Sequence, residues 1–573
     1  MISRGQNFKQ IPLNIVGSSI FGRYPKISIE KTYNMFMSDN FMVPYSGYQL
    51  AVLSTALLNG KVGRGIFATS KSYLGSPKLV VVIDNNVFLV NIFFDQNTQK
   101  SSGTQITHIG QLSTSVGPVY IAENNKPQIA ISDGTNIYIY DTTISPTIQA
   151  QSIQFDPGYI TFHDTYFICA ATSDNVYSPP ASNTWRLSAQ NDGTSWPNTA
   201  ANVGALQTKP DSIQAVVRFP SKGNMIFVMG NTVTESWFDT GNLLFPYTRN
   251  NQFNIDYGCL NPATVAYMDE FVVWLAQNEK SGPIIMYSDG GMPVKVTTDG
   301  IDYLFSQLQN PQDSQGFLYR QDGHLFYHIN FYADNLSLVV DFTTNKIYHA
   351  SDQNLNYFIA AQVAFFNNQY YFVSKNTGNI YAFDTIFTTY EDTDNADPHD
   401  IIENEIPRFR TCKQIRLPSQ EYFVVNDVGF TIETGETNYQ QQDIGAIELI
   451  TEDGKIIITE GALVNLETEN NLLIQAENGN DLISEQFDLV NFDILVSEQD
   501  EFIYSTPRVD LSISRDGGAT FGSDFGYELN PIGQRKNKLL WWQIGAGNDV
   551  VCQFKFWGMG RFVVTDGIAN IRQ

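Results

Sequence analysis

The chain has 573 residues and a formal net charge of −25, with 59 Asp or Glu against 34 Lys or Arg. The length exceeds that of one ordinary domain, and the acidity argues against a protein built around a cationic DNA-binding surface. Charged residues make up only 16% of the chain and aromatic residues 13%, which is typical of many short strands joined by tight turns rather than of a helical enzyme.

The cysteines lie far apart, without a CxxC pair or a neighbouring histidine cluster. This spacing argues against a zinc site and against a disulfide scaffold. It indicates small buried side chains in a protein made in a reducing cytoplasm. No secretory signal is visible, and no apolar stretch approaches the roughly 20 residues of a membrane span. We therefore expect neither a secretory signal nor a membrane-spanning segment. The four cysteines are Cys169, Cys259, Cys412 and Cys552.

Residues 1–60 predict an N-terminal extended segment. The pieces IPLNIVGSS, EKTYNMF and VPYSGYQ read as extended chain separated by turns.

Residues 61–390 predict a β-propeller. One pattern recurs at a spacing of roughly 40 to 50 residues: an apolar strand, an Asn/Asp/Gly turn, a second apolar strand and an alternating outer strand. Such repeats indicate blades, and a closed ring hides strand edges that invite aggregation. Six and seven blades both fit, and a β-sandwich remains an alternative because it too consists of short strands. The repeat units cover residues 63–92, 119–142, 159–189, 214–240, 264–296, 317–350 and 359–385. The one helical candidate is Asp302 to Leu308.

Residues 391–430 and 506–573 predict a C-terminal β-subdomain. Its first part, residues 391–405, is polar and charged and reads as a linker or exposed loop. A basic cluster follows, which is either the outward face of a strand or a docking strip for an acidic neighbour. The cluster consists of Arg408, Arg410, Lys413 and Arg416. Further strands are predicted at Val509–Ser514, Lys538–Gln543, Val550–Trp557 and Phe562–Thr565.

Residues 431–505 predict an acidic β-meander inserted into this subdomain. They carry 17 carboxylates against one lysine, Lys455. Short Ile/Leu/Val strands alternate there with Glu-Asp-Gly or Glu-Asn-Gly turns. We hypothesise a role for the insertion at the distal end of an assembly or in fibre attachment, which deletion of the segment would test.

A search for catalytic chemistry yields only weak candidates. The segment SISRDGGATF matches the Asp-box of sialidase-like propellers, with Ser514, Asp516, Gly518, Thr520 and Phe521 in place. In that resemblance the box stabilises a turn and does no catalysis, and the arginine set that a sialidase needs is missing. Glu235 is the most interesting lone acid, although a strand-end cap or an inter-subunit salt bridge explains it better than a role as general acid does. We therefore expect no enzyme, and assign no catalytic, cofactor-binding or metal-binding residue.

Two histidines of one predicted strand, His324 and His328, lie on the same face. Two ligands without a third make a poor metal site, so we expect both side chains to be packed.

The ordered combination TSW, KPDSI, TESWFDTG, DGGATF and LLWWQIG resembles the tail hub, or nozzle, proteins of short-tailed phages, also called packaged-DNA stabilisation proteins. The resemblance implies a virion structural protein that forms a ring, six-fold in the family, below the portal and connector. It implies connector or adaptor proteins and tail fibres or tail plug proteins as partners, assembly in the host cytoplasm, and passage of genomic DNA without sequence-specific binding. The alternatives are a receptor- or carbohydrate-binding propeller, possibly glycosidase-like, and a cellular scaffold.

Overall fold

A computed structural model of the protein describes residues 9–23, 30–52, 62–70, 75–95, 100–219, 222–268, 271–393, 401–417, 419–434, 449–450, 456–457, 507–529, 536–558 and 560–572. The protein is all-β, as predicted. The helix α1 covers Asp299–Ser306, close to the predicted segment. No helix in these ranges is long and apolar enough to cross a membrane.

Five short strands precede the propeller: β1 (Lys9–Leu13), β2 (Lys31–Tyr33), β3 (Met35–Ser38), β4 (Phe41–Pro44) and β5 (Gly47–Val52). The next four form blade 1: β6 (Gly63–Ala68), β7 (Leu79–Ile83), β8 (Asn86–Asp95) and β9 (Lys100–Gln111). Blade 2 follows with β10 (Tyr120–Glu123), β11 (Gln128–Ser132), β12 (Ile137–Asp141) and β13 (Gln149–Ala150). Blade 3 contains β14 (Phe155–His163), β15 (Tyr166–Asp174), β16 (Thr184–Leu187) and β17 (Val203–Ala205).

Blade 4 contains β18 (Ile213–Arg218), β19 (Met225–Gly230), β20 (Thr234–Asp239) and β21 (Tyr247–Ile255). Blade 5 contains β22 (Gly258–Cys259), β23 (Ala266–Met268), β24 (Phe271–Gln277), β25 (Ile284–Ser288) and β26 (Val294–Lys295). Blade 6 contains β27 (Ser314–Gln321), β28 (His324–Phe331), β29 (Leu336–Asp341) and β30 (Lys346–His349). Blade 7 contains β31 (Ala360–Phe366), β32 (Gln369–Ser374), β33 (Ile380–Asp384) and, from the N-terminal side, β5.

These blades close into a ring. Each blade contacts the next in chain order, and the first strand of blade 7, β31, packs on the first strand of blade 1, β6. Seven successive antiparallel sheets can therefore be followed around the ring in the described chain. Seven is one of the two blade numbers that the sequence predicts. Each sheet overlaps one repeat unit of the sequence, and the outer strands β9, β13, β17 and β21 lie beyond the predicted units. Strand β5 completes blade 7 by pairing with β33, so an N-terminal strand closes the ring.

The strands after the ring are β34 (Thr389–Thr393), β35 (Ile401–Glu405), β36 (Arg408–Thr411), β37 (Phe423–Thr434), β38 (Leu449–Ile450), β39 (Ile456–Ile457), β40 (Arg508–Ser514), β41 (Phe525–Glu528), β42 (Lys536–Gly547), β43 (Val551–Trp557), β44 (Phe562–Val564) and β45 (Gly567–Arg572). The predicted linker thus begins and ends in two strands, β34 and β35, that pair with each other. Within the predicted insertion, residues 431–434 belong to β37, and β38 pairs with β39; its other residues lie outside the described ranges.

A β-sandwich lies beside blades 6 and 7. Its first layer, which we call the extension sheet, consists of β2, β36, β43, β40 and β41 and continues blade 6, because β2 pairs in parallel with β30. Its second layer, the terminal sheet, runs β1, β45, β37, β44, β4 and β3, with β42 on the other side of β37. Leu13, Val428, Trp541, Phe554 and Ile571 belong to the apolar core that the two layers share. Strands from residues 1–60 are therefore distributed over the sandwich and the ring.

Candidate functional site

The centre of the propeller holds a cavity lined by uncharged residues. The inner strands line a cavity of about 250 Å³, which equals the liquid volume of about eight water molecules. None of the described lining residues is charged, and the amide of Gln362 accepts a hydrogen bond from the backbone N–H of Ile66, 3.3 Å away. Phe67, Tyr120, Tyr267, Phe317 and Val363 are among the lining residues. The described lining of this cavity therefore offers no charged group to a ligand.

Glu235 lies in β20 and is fully buried. Its Oε1 accepts hydrogen bonds from the backbone N–H groups of Gln207 and Thr208, at 2.7 and 2.5 Å, and from the Thr208 hydroxyl at 2.7 Å. Its Oε2 accepts one from Nε1 of Trp237 at 3.0 Å, and Nη1 of Arg249 lies 3.9 Å from Oε1. Both oxygens are thus used to hold the loop after blade 3 on blade 4, an arrangement that serves stability.

The two histidines of β28 are both buried, and each has its own polar neighbour. Nδ1 of His324 lies 2.9 Å from Oδ2 of Asp341. Nδ1 of His328 lies 3.4 Å from the Tyr45 hydroxyl, and its ring packs against Phe317 and Phe358 with centroids 4.8 Å apart in both pairs. The packed arrangement expected from the sequence is therefore what the structure shows.

Replacing His328 by phenylalanine should make the protein more resistant to mild acid. Burial lowers the pKa of His328 to about 3, whereas the pKa in an unfolded chain is about 6.5. As the pH falls below 6.5, the unfolded chain takes up a proton that the folded chain excludes, so stability is lost. Between pH 7 and pH 5 this one group should cost about 2 kcal/mol. Urea unfolding at both pH values measures the difference between wild type and His328→Phe.

The matched control is His108→Phe, which makes the same replacement at an exposed histidine. His349, whose pKa burial also lowers to about 3, is present in all three proteins. The prediction fails if wild type and His328→Phe lose the same free energy between pH 7 and pH 5.

The basic cluster at residues 408–416 does not form the continuous docking strip or outward strand face that the sequence predicts. Two of its four members point inward. Arg410 is fully buried, and its Nη2 lies 2.5 Å from Oε2 of Glu30. Its Nη1 donates to the backbone carbonyl of Ser18 at 2.8 Å. Arg408 is also buried, and its Nη2 donates to the carbonyl of Thr388 at 3.1 Å. These arginines bind the N-terminal strands and the ring to the sandwich.

The remaining two members, Lys413 and Arg416, are exposed. Only these two side chains of the cluster contribute positive charge to the protein surface, whereas the sequence predicts four.

The Asp-box closes a turn between β40 and β41. The Ser514 hydroxyl donates to Oδ1 of Asp516 at 2.6 Å and accepts from the N–H of Gly518 at 2.8 Å. Oδ1 of Asp516 also accepts the N–H groups of Ala519 and Thr520, both at 3.0 Å. These hydrogen bonds hold the pKa of Asp516 well below its usual range. The box acts as a turn, as its resemblance implies, and it lies in the sandwich instead of in a blade.

All four cysteines are buried and unpaired. Burial raises the pKa of each thiol, so they are poor nucleophiles. This agrees with the small buried side chains that their spacing indicates.

One exposed apolar feature was missed at the sequence level. Residues 240–246 join β20 to β21 in blade 4, and we call them the leucine loop. Leu243 is 97% and Leu244 80% exposed, although the loop itself is well anchored. Phe245 packs edge-on against Trp185, 5.3 Å away between ring centroids, and the N–H of Thr240 donates to the carbonyl of Pro246 at 2.8 Å. A pair of leucines inside a Gly-Asn turn is the signal that could have revealed it, since turns are normally polar.

A second exposed apolar feature covers the outer side of the terminal sheet. Pro12, Ile568 and Leu540 lie in one row across four paired strands, with Gly429 between Ile568 and Leu540. Trp542, two residues beyond Leu540 on the same strand face, is 66% exposed. A Cβ atom on Gly429 would lie 2.8 Å from Cδ1 of Leu540, so the glycine lets Leu540 lie flat across the sheet. We call this surface the tryptophan face.

Comparisons with solved structures returned propellers of low similarity. One is entitled streptogramin B lyase structure, with 11% identity over 59% of this chain and 97% of that chain and a TM-score of 0.37. Virginiamycin B lyase from Staphylococcus aureus is 12% identical over 59% of this chain and 99% of that chain, with a TM-score of 0.38. An ancestral GH74 enzyme is 12% identical over 65% of this chain and 51% of that chain, with a TM-score of 0.38. Scores this low carry no argument about function.

The comparison with protein families is more informative. No curated protein sequence matched the chain. However, the family model described as "Bacteriophage P22 Gp10, beta-propeller" matches residues 94–388. That match is 295 of the 573 residues and runs from the end of β8 through blade 7, so it covers most of the ring described above. The chain therefore belongs to the bacteriophage P22 Gp10 β-propeller family of phage stabilisation proteins.

Proposed function

We propose that this protein is a structural component of a phage tail hub, where copies form a ring below the portal and connector, retain the packaged DNA and provide its exit path. The observation that carries this proposal is the family match over the propeller. The resemblance of two segments outside the match, DGGATF and LLWWQIG, to hub proteins supports it. Both segments contribute to the sandwich, the Asp-box turn in one case and the core strand β42 in the other.

The proposed role is structural rather than catalytic. Support comes from the hydrogen bonds that the carboxylates of Glu235 and Asp516 accept. The carboxylate of Glu235 is occupied by backbone and indole donors, and that of Asp516 by the turn it closes. Each of these groups holds neighbouring chain in place.

The proposed exit path lies between copies of the protein, at the axis of their ring. Support comes from the small cavity at the centre of a single propeller, which has a volume of about 250 Å³. A net charge of −25 per chain suits a wall beside moving DNA, because basic contacts would add about one unit of salt-dependent log affinity for each neutralised phosphate and slow its passage. We propose six copies, from the family resemblance.

The proposed neighbours are connector or adaptor proteins above the ring and tail fibres or tail plug proteins beside or below it. Genomic DNA would pass without sequence-specific binding. Assembly in the host cytoplasm is proposed because the four buried thiols are unpaired, which suits a reducing compartment.

Electron microscopy of phage particles produced without this protein tests the proposal. We expect heads that package DNA and then lose it, with no hub below the connector. Supplying the protein from a plasmid should restore both features, which controls for effects on neighbouring genes. Full heads on normal tail stumps would contradict the proposal and favour the receptor-binding alternative, which a glycan array would then examine.

A further inference from the structure

The leucine loop and the tryptophan face are both built to remain exposed in a single chain. The loop is fixed by Phe245 and by the Thr240 hydrogen bond, so its two leucines cannot fold back into the propeller. The face is a row of paired strands about 4.8 Å apart, which makes the row from Pro12 to Leu540 about 14 Å long. Single exposed apolar residues are ordinary, whereas contiguous rows and protruding pairs indicate a contact surface.

The charges beside the two features have opposite signs. Asp239 is the last residue of β20 and immediately precedes the leucine loop, and the exposed Asp164 lies beside Asp239. On the tryptophan face, Lys538 and Arg572 share the outer side with Leu540 and Ile568, and neither forms an ion pair with the described residues. The third cation there, Lys536, lies 2.9 Å from Glu433. Asp427 lies on the same side, opposite Trp542, and accepts a hydrogen bond from Asn570, so the face carries three cations against two carboxylates. An acidic apolar protrusion and an apolar face with an excess of cations on one chain are complementary in charge.

The two features also lie on different parts of the protomer. The leucine loop belongs to blade 4, whereas the sandwich adjoins blades 6 and 7. A contact between the loop of one copy and the face of another is therefore head-to-tail. It leaves one loop and one face free at the two ends of any open chain of copies, and it closes into a ring when the rotation between neighbours allows.

We propose that the leucine loop of one copy docks on the tryptophan face of the next, and that this contact joins neighbouring subunits of the ring. The occupant of the face is thus a second copy of this chain. The inference rests on the proposed function for the existence of the ring, and it adds which surfaces meet.

Disulfide trapping in the full-length protein tests this contact. Leu243→Cys and Trp542→Cys would be introduced together, and purified tails or concentrated protein would be oxidised and run on a non-reducing gel. The four native cysteines are buried, so they contribute little background. We expect a ladder of covalent multimers from the double variant. A mixture of the two single variants should stop at dimers, because each copy then has only one reactive position.

The matched control pairs Trp542→Cys with Ile144→Cys, since Ile144 is 63% exposed in a turn of blade 2. This pair should give no ladder. As a second readout, Leu243→Ser with Leu244→Ser should weaken self-association by about tenfold or more in sedimentation velocity, because two leucine side chains lose their apolar contact.

Electron microscopy of the same samples separates the possible failures. Rings without a ladder, or a ladder equally strong in the Ile144 control, would overturn the contact and leave the proposed function intact. Absence of rings from both tails and concentrated protein would overturn both proposals. A face that instead crosslinks to a different virion protein would show that its occupant is not a second copy.

Discussion

Replacing Arg410 by methionine should lower the free energy of unfolding of the sandwich by about 3 to 5 kcal/mol, because it leaves the Glu30 carboxylate buried without its partner. Arg410 is fully buried, and Glu30 is 6% exposed. The guanidinium also donates to the carbonyls of Ser18 and Asn14, so the variant loses the attachment of the N-terminal strands. Urea unfolding followed by tryptophan fluorescence measures the effect.

Arg416→Met is the control for the loss of an arginine side chain, because Arg416 is exposed and its replacement should change stability by less than about 0.5 kcal/mol. Adding Glu30→Gln to Arg410→Met should recover part of the loss, since the buried charge is then removed. Equal unfolding curves for wild type and Arg410→Met would refute the structural role given to this ion pair.

Tyr48→Ala should destabilise the propeller by about 3 to 5 kcal/mol, the usual effect of removing a large aromatic side chain from a core. Tyr48 lies in β5, the strand that closes the ring, and is 1% exposed. Its ring stacks on Tyr390 with centroids 4.4 Å apart and meets Tyr381 and Phe372 edge-on at 5.0 and 5.3 Å. Thermal unfolding monitored by circular dichroism measures the loss.

Tyr422→Ala provides the control, because Tyr422 is 69% exposed. Limited proteolysis adds a second readout, since an opened ring should be cut faster in blade 7 and blade 1 than in blades 3 and 4. If Tyr48→Ala melted like wild type, the closing role of β5 would be wrong.

The propeller could be read from the sequence because each blade is local. A strand, its turn and the next strand lie within about ten residues of one another, so alternation and Asn/Gly turns reveal the pair. The strands β2 and β5 were not assignable in this way. Their partners, β30 and β33, lie about 300 residues away, and no local pattern reports a pairing at that distance.

The direction in which charged strand residues point also could not be predicted from the sequence. Arg408 and Arg410 alternate with Phe409, which favours an outward basic face in a sequence taken alone. In the structure the N-terminal segment covers Arg410, which donates to the carbonyl of Ser18 and pairs with Glu30. Arg408 instead donates to the carbonyl of Thr388, beside the ring. Ser18 and Glu30 lie 392 and 380 residues before Arg410 in the sequence, so the burial of Arg410 depends on long-range contacts that the sequence pattern does not contain.

The pairing of β1 with β45 sets a waiting time during synthesis. At about 5 to 20 residues per second, the ribosome needs roughly 30 to 110 s between making residue 9 and making residue 567. Throughout that interval β1 has no partner in the terminal sheet and exposes a strand edge. Lys9 and Pro12 lie within it, a charge and a residue without an N–H group, and both disfavour pairing with another nascent chain on the same polysome. The row that contains Pro12 and Ile568 cannot exist before residue 568 has been made, so chains that have not reached that residue cannot offer it to a neighbour.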